Sequence, residues 1–308
     1  MAAAPRVQPD AFFTPDEWSA LTQRSAWRGL WSVAHCWAVI GAAMVVGALW
    51  PVAIPLAVVV IGTRQLGLFV LMHDAAHAGL HRNRKINDWV AHWLCTPTLR
   101  AYRPYHLQHH RYVQQTEDPD LVLSAPFPIK RSSLARKFWR DLSGQTFYKQ
   151  RFAHIVQRIR ARTEGESAWR LLGQEVAKDR RFLVGNAIGF ALFSAAGFWW
   201  VWLLMWLLPM MTWLPLVSRI RNISEHALVA QNGPDPLRHA RTTQASWLAR
   251  AVIAPYWVNY HAEHHMFTNI PCWNLPRAHR ILKRDGVTSR MEMESGYVAL
   301  LARAAPAA

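Results

Sequence analysis

GLWSVAHCWAVIGAAMVVGALWPVAIPLAVVVIGT, Gly29 to Thr63, contains no aspartate, glutamate, lysine or arginine. A second uncharged run extends from Phe182 to Ser218. Each is longer than the roughly 20 residues one helix needs to cross a bilayer. Each also carries prolines near or past its middle, Pro51 and Pro55 in the first and Pro209 and Pro215 in the second. Two helical hairpins, and hence four spanning helices, are the simplest expectation, with turns at about 48–52 and 208–212.

Working outward, the charges fall where this topology puts them. The 308 residues are 52% hydrophobic and 18% charged, with a net charge of +16. Between Gly29 and Phe69 the only charge is Arg64. The remaining basic residues lie in three segments that two hairpins would leave on one side, which the positive-inside rule makes cytoplasmic. The expected organisation is a lead-in helix over 1–26, a first hairpin over 27–72, a polar segment over 73–181, a second hairpin over 182–219 and a C-terminal segment over 220–308. Nucleic acid is a poor explanation for the positive charge, because no binding module is recognisable. Cys36, Cys95 and Cys272 have no metal-binding spacing, and no disulfide is expected. Met1 to Arg24 lacks the basic start and apolar core of a cleavable signal.

Within the lead-in, Thr14-Pro-Asp-Glu17 is a helix-start signal. His35 is isolated in the first span and is expected to face packed protein. Ile86 to Cys95 reads as a short interfacial helix lying on the membrane, ended by Pro97, with His92 structural. Trp247 to Trp257 repeats that pattern. Segment 130–181 holds 14 Lys or Arg against 5 Asp or Glu. Within it, Phe152, Ile155, Val156 and Ile159 space an amphipathic helix. That segment suits either anionic lipid headgroups or an acidic carrier protein. The tryptophans between 199 and 213 read as an interfacial belt around the turn at Pro209.

The chemistry lies in three histidine boxes: His73-Asp-Ala-Ala-His77, His106-Leu-Gln-His-His110 and His261-Ala-Glu-His-His265. Offsets of three and four share a helix face, so the imidazoles of one box are expected to converge on one point. Neutral imidazole is the commonest metal ligand. Two boxes follow the polar ends of the two hairpins in the same order of elements, about 27–110 and 183–265, which puts them at similar depth on one side. Thiolates are absent, so a zinc-finger-like site is not expected. The ligands are too many for one ion of coordination number four to six, and two ions suit them. Iron with room for O2 is the plausible redox choice. Asp74, Glu225 and Glu263 neighbour the histidines and read as acceptors that orient imidazole N–H groups. His81 is balanced between ligand and surface roles.

These boxes, together with Asn259-Tyr-His-Ala-Glu-His-His-Met-Phe267, Thr116-Glu-Asp-Pro-Asp120 and Leu275-Pro-Arg-Ala-His279, resemble the membrane fatty acid desaturases over about 60–285. The resemblance implies an all-α integral membrane fold of four spans in two hairpins, with a cytosolic helical cap carrying the boxes. It implies two non-haem iron ions held by His73, His77, His106, His109, His110, His261, His264 and His265. His226, at the extension of the fourth span, matches a further ligand of relatives, and Asn222, one turn earlier, matches an asparagine that holds iron through water. His239 and His279 match more weakly. The third box opens on His261 rather than the glutamine of front-end desaturases, and Thr268 stands where many relatives have proline. No His-Pro-Gly-Gly haem motif is present. The resemblance implies electrons from a separate ferredoxin or cytochrome b5-like carrier and O2-dependent removal of two hydrogens from adjacent methylenes of an acyl chain. The boxes alone also suit a lipid or carotenoid hydroxylase or ketolase, or a membrane metal-binding or transport protein.

Overall fold

The computed structural model describes residues 3–96, 98–163 and 165–307. Pro97 lies outside the described residues. The chain forms two compact units. One comprises Met1–Ala38, Leu66–Leu134 and Val217–Ala308, and the other comprises Val39–Gln65 and Ala135–Leu216.

Three helical stretches among the described residues are long and apolar enough to cross a membrane: Arg28–Leu49, Pro51–Ala76 and Trp199–His226. The break between the first two falls at Trp50, within the expected turn, and Pro51 opens the following helical segment where its missing N–H costs nothing.

The second turn is not where the prolines suggested. A helix runs without interruption from Ala168 to Ala195, across the expected boundary at 182. It closes on Gly197, whose φ of 80° places it in the left-handed region. The Gly197 N–H donates to the Ser194 carbonyl at 2.9 Å and the Phe198 N–H to Phe193 at 2.7 Å, the paired bonds of a Schellman cap. Helical structure then continues through Trp199–Trp202, the π-helical Leu203–Leu207 and Leu208–Met211 to Trp213–His226. Pro215 sits in the first turn of Trp213–His226, where no intrahelical N–H is lost, and Pro209 directly follows the π-helical turn Leu203–Leu207. A turn residue with positive φ outweighed prolines that a helix start tolerates. The tryptophans at 199, 200 and 202 therefore follow a turn at 196–198.

The unit that contains the boxes is held together by short elements. Thr14 and Glu17 form a reciprocal capping box on the Pro15–Thr22 helix. Phe12, Phe13 and Trp18 pack edge-on against Phe267, with ring centroids 5.9, 4.9 and 5.9 Å away. The N-terminal segment thus braces the residue two places after His265. The fold is not wholly helical. Arg241–Thr243 and Glu292–Glu294 pair as parallel strands, with Thr242 opposite Met293. Sequence periodicity gives no warning of three-residue strands, which form because their backbone groups are buried and need partners.

The Arg84–Val90 helix and its π-helical continuation Ala91–Cys95 were expected to lie flat on the membrane. They run alongside residues 25–37 and keep Ile86, Trp89, Trp93 and Leu94 exposed. The Arg82 N–H donates to the Ser25 carbonyl at 3.2 Å, and Trp37 Nε1–H donates to the Leu94 carbonyl at 2.7 Å. Between these two contacts a Cβ on Gly29 would overlap the Leu80 carbonyl oxygen, so glycine is what permits the close approach.

Candidate metal centre

Each box is carried by a helix end. His73 lies in the last turn of Ile54–Ala76 and His77 just beyond it. His106, His109 and His110 occupy the last turns of Leu99–Tyr112. His261, His264 and His265 make up half of the six-residue helix His261–Met266, and His226 ends Trp213–His226.

The nine imidazoles form two groups. His73, His77, His106, His110 and His264 converge in one, and His109, His226, His261 and His265 in the other. The expectation that one box would aim at one point is therefore corrected. Within each box, offsets zero and four stay together and offset three crosses to the other group. At about 100° per residue, the fourth residue lies roughly 40° to one side of the first and the third residue roughly 60° to the other. The two are thus splayed by a full residue angle and can face different centres.

In the five-histidine group, His106 Nε2 lies 2.9 Å from His77 Nε2 and 2.9 Å from His110 Nε2, and His264 Nε2 lies 3.1 Å from His110 Nε2. In the four-histidine group, His261 Nε2 lies 2.8 Å from His226 Nε2 and 3.0 Å from His265 Nε2, and His109 Nε2 lies 3.3 Å from His265 Nε2. Donors about 2.0–2.1 Å from one ion stand roughly 3 Å apart at right angles and about 3.4 Å apart at the tetrahedral angle. The observed spacings match that range. His73 Nε2 is buried with no hydrogen-bond partner although four other imidazoles surround it. A ring of inward-facing imidazole nitrogens cannot satisfy itself by N–H···N bonds at every position, whereas a cation satisfies all of them at once. The residues therefore fit two metal ions.

The electrostatics keep these groups in the ligand form. Burial holds the His106, His110, His261, His264 and His265 imidazoles well below the usual histidine range. Burial, reinforced by the charge of Arg103, pushes His77 down to about 4. Neutral imidazole offers a lone pair at physiological pH, which is what a metal requires.

The neighbouring carboxylates do not all act as expected. Glu225 Oε2 lies 3.5 Å from His261 Nε2 and both its oxygens accept from Arg221 Nε at 2.8 Å. Asp74 accepts from the Cys272 N–H at 3.2 Å, not from an imidazole. Glu263 is fully buried and takes the Thr242 hydroxyl on one oxygen and His279 Nδ1, at 2.5 Å, on the other. It fixes the third-box helix rather than a ligand ring. Asn222 is half-buried one turn before His226.

The residue that does orient a ligand is Asp118. Its Oδ1 lies 2.7 Å from His109 Nδ1, both side chains are buried, and its oxygens accept the Gln114 and Asp120 N–H groups at 2.9 Å. The Gln114 side chain in turn donates to the His226 carbonyl at 3.1 Å. Thr116 to Asp120 entered the sequence reading through the family resemblance, and the signal available for Asp118 was an Asp-Pro pair eight residues past a ligand. Arg241, also missed, is completely buried and donates to the Ala227 carbonyl at 2.7 Å and to the Ser224 and Leu228 carbonyls at 3.3 Å. It thereby caps the helix that presents His226. Tyr102 stacks on His106, with centroids 5.0 Å apart and planes 13° from parallel.

His35, His81, His92, His239 and His279 lie outside both groups. His35 Nδ1 meets the Tyr256 hydroxyl at 3.1 Å, His81 Nδ1 accepts from the Asn83 N–H at 2.9 Å, and His239 Nε2 meets the Gly233 carbonyl at 2.8 Å. His92 is buried in the Ala91–Cys95 segment.

A family model described as fatty acid desaturase matches residues 48–297. The chain belongs to the fatty acid desaturase family. It is an oxidoreductase of that family, as the resemblance of its boxes implied. Over 257 residues it is 25% identical to the dihydrorhizobitoxine desaturase of Bradyrhizobium elkanii, covering 75% of this chain and 68% of that protein. It is 26% identical over 250 residues to an sn-1 oleoyl-lipid 12-desaturase of Picosynechococcus sp., covering 73% and 67%. It is 23% identical over 236 residues to an sn-1 acyl-lipid omega-3 desaturase (ferredoxin) of Synechocystis sp., covering 72% and 65%. The chain thus spans about two thirds of the length of these relatives.

Proposed function

We propose that this desaturase introduces a double bond into an acyl chain of a membrane lipid, using O2 and electrons from a separate carrier such as ferredoxin or a cytochrome b5-like protein. The observation that carries the reading is the pair of all-histidine groups in a chain of the desaturase family. The balance is a –CH2–CH2– unit plus O2, two electrons and two protons, giving –CH=CH– and two waters.

In this reading His73, His77, His106, His110 and His264 hold one iron, and His109, His226, His261 and His265 hold the other, with Asn222 reaching it through water. The iron pair, when bound, supplies O2 activation. The chain's own residues do the rest. Asp118 keeps the proton of His109 on Nδ1 so that Nε2 faces the centre. Glu225 and Arg221 place a compensated charge pair beside His261. Tyr102 and the buried helix ends keep water from the ligand rings, which preserves the low-dielectric setting the chemistry needs.

The four-span arrangement belongs to the same proposal. The Ala168–Ala195 helix, uncharged from Phe182 onward, supplies the fourth span in addition to the three stretches already described. Both termini and the histidine-bearing segments then face the cytoplasm, where a soluble carrier reaches the metal.

The test is product analysis. The full chain is expressed in a host of defined lipid composition with a reductant system, and lipid acyl chains are compared by mass spectrometry. Loss of two hydrogens from an acyl chain supports the proposal. A gain of oxygen without that loss would replace it with a hydroxylase reading.

A further inference from the structure

Apart from the metal centre, the chain builds a cleft between the Arg28–Leu49 helix and the segment that follows the first box. The cleft has a volume of about 420 Å3 and wholly apolar walls. Leu30, Val33 and Trp37 form one wall, spaced three and four residues apart along the Arg28–Leu49 helix. Ile86, Val90 and Leu94 form the other, each four residues after the last. The Trp37–Leu94 hydrogen bond closes one end at 2.7 Å. The opposite end is basic. Arg82 is tied through its backbone to Ser25, and Ser25 Oγ accepts from the Arg28 N–H at 3.1 Å, so Arg28 and Arg82 share this end. Arg84 and Lys85 begin the helix that forms the second wall, and all four side chains are exposed.

Two features argue that this charge serves a ligand rather than the fold. Basic residues in the first turn of a helix oppose its macrodipole, so Arg84 and Lys85 weaken the helix they start. The nearest acid on that helix, Asp88, is already engaged by Arg103 at 2.5 Å. An apolar trough beside four exposed cations matches the chemistry of a phospholipid with a negative headgroup.

We propose that the cleft binds one anionic phospholipid, its headgroup phosphate among Arg28, Arg82, Arg84 and Lys85 and an acyl segment lying between the two helical walls. This rests on the reading of Arg28–Leu49 as a membrane span. The site is distinct from the histidine groups, and its occupant is a bound lipid rather than the chain to be desaturated. It would pin the segment 80–95 against the first helix, and so set the starting position of the helix that carries the second box.

The full chain is reconstituted in nanodiscs of equal parts phosphatidylcholine and phosphatidylglycerol, and retained lipids are counted by native mass spectrometry after release. One phosphatidylglycerol per chain is expected in preference to phosphatidylcholine. Arg82→Gln with Arg84→Gln should lower its retention roughly fivefold for each charge removed. Ala34→Trp fills the trough and should abolish retention with every cation still in place. Metal content per chain, unchanged in both variants, shows that they fold. Equal retention of the two lipids, or variants that retain phosphatidylglycerol as the parent does, overturns the site. Competition by glycerophosphoglycerol, which has the headgroup and no chains, overturns it as well. So does a dimer that Ala34→Trp dissolves, because a second copy would then fill the trough. Release of the chain from membranes by alkaline carbonate would instead remove the membrane reading beneath it.

Discussion

The two histidine groups are built from the same motifs but held by different means. The five-histidine group draws every member from the three boxes and is secured by packing, with Tyr102 stacked on His106 and His73 Nε2 buried without a hydrogen bond. The four-histidine group takes one member, His226, from outside the boxes and is secured by polar contacts. Asp118 holds His109, Gln114 holds the end of the helix that carries His226, and Glu225 lies beside His261. The lesson is that equal ligand chemistry does not require equal support. The set with two pairs at offset four is positioned largely by its own helices. The set with one such pair and two single residues, His109 and His226, on separate helices takes hydrogen bonds to fix the singles.

The sharpest way to break the comparison is to remove one ligand from each group. His264→Ala and His261→Ala should each abolish turnover, and each should cost the protein metal from its own group while the chain still inserts in the membrane. Metal analysis of the purified variants checks this, and full activity in the His264→Ala protein would remove His264 from the site. Next in size is Asp118→Asn. It leaves all nine imidazoles and should weaken metal binding about 10- to 100-fold. That loss should be confined to one of two metal equivalents, which titration with Co2+ followed by absorption resolves. Equal weakening of both equivalents would show that the groups are not supported separately.

Acid should act on both groups. The depressed imidazoles refuse protons that the unfolded chain accepts, so the folded state loses stability as pH falls from about 6.5, the ordinary histidine value, through about 4, where His77 titrates. The melting temperature of the metal-free protein should be flat above that window and fall within it. The smallest effect is expected from Thr242→Val, which removes the donor to one oxygen of buried Glu263. Stability should fall by about 1–3 kcal/mol. Because the Glu263 helix supplies His264 to one group and His261 and His265 to the other, metal affinity should drop equally in both. A drop confined to one would mean that this helix does not move as a unit.

Much was legible in the sequence because it rests on local periodicity and composition. Charge-free runs predict apolar helices, and HxxxH or HxxHH at a helix end predicts clustered imidazoles, since the helical repeat fixes which residues are neighbours. The break at Trp50, the Thr14 capping box and the eight box histidines all follow from such local rules. The turn at 196–198 was legible too, in Gly197, but was assigned to prolines that a helix start accommodates.

What only the tertiary structure decided concerns partners distant in sequence. The division of the second and third boxes between two groups depends on which helices approach from either side, and the spacing alone does not say which group each histidine joins. Asp118 meets His109 only after a turn folds back, Arg241 reaches the end of a helix 14 residues earlier, and Glu263 pairs with His279 and Thr242 rather than with a ligand. Spacing along a helix is set by the backbone itself. The identity of a hydrogen-bond partner is set by which buried donors and acceptors the packed chain leaves facing one another.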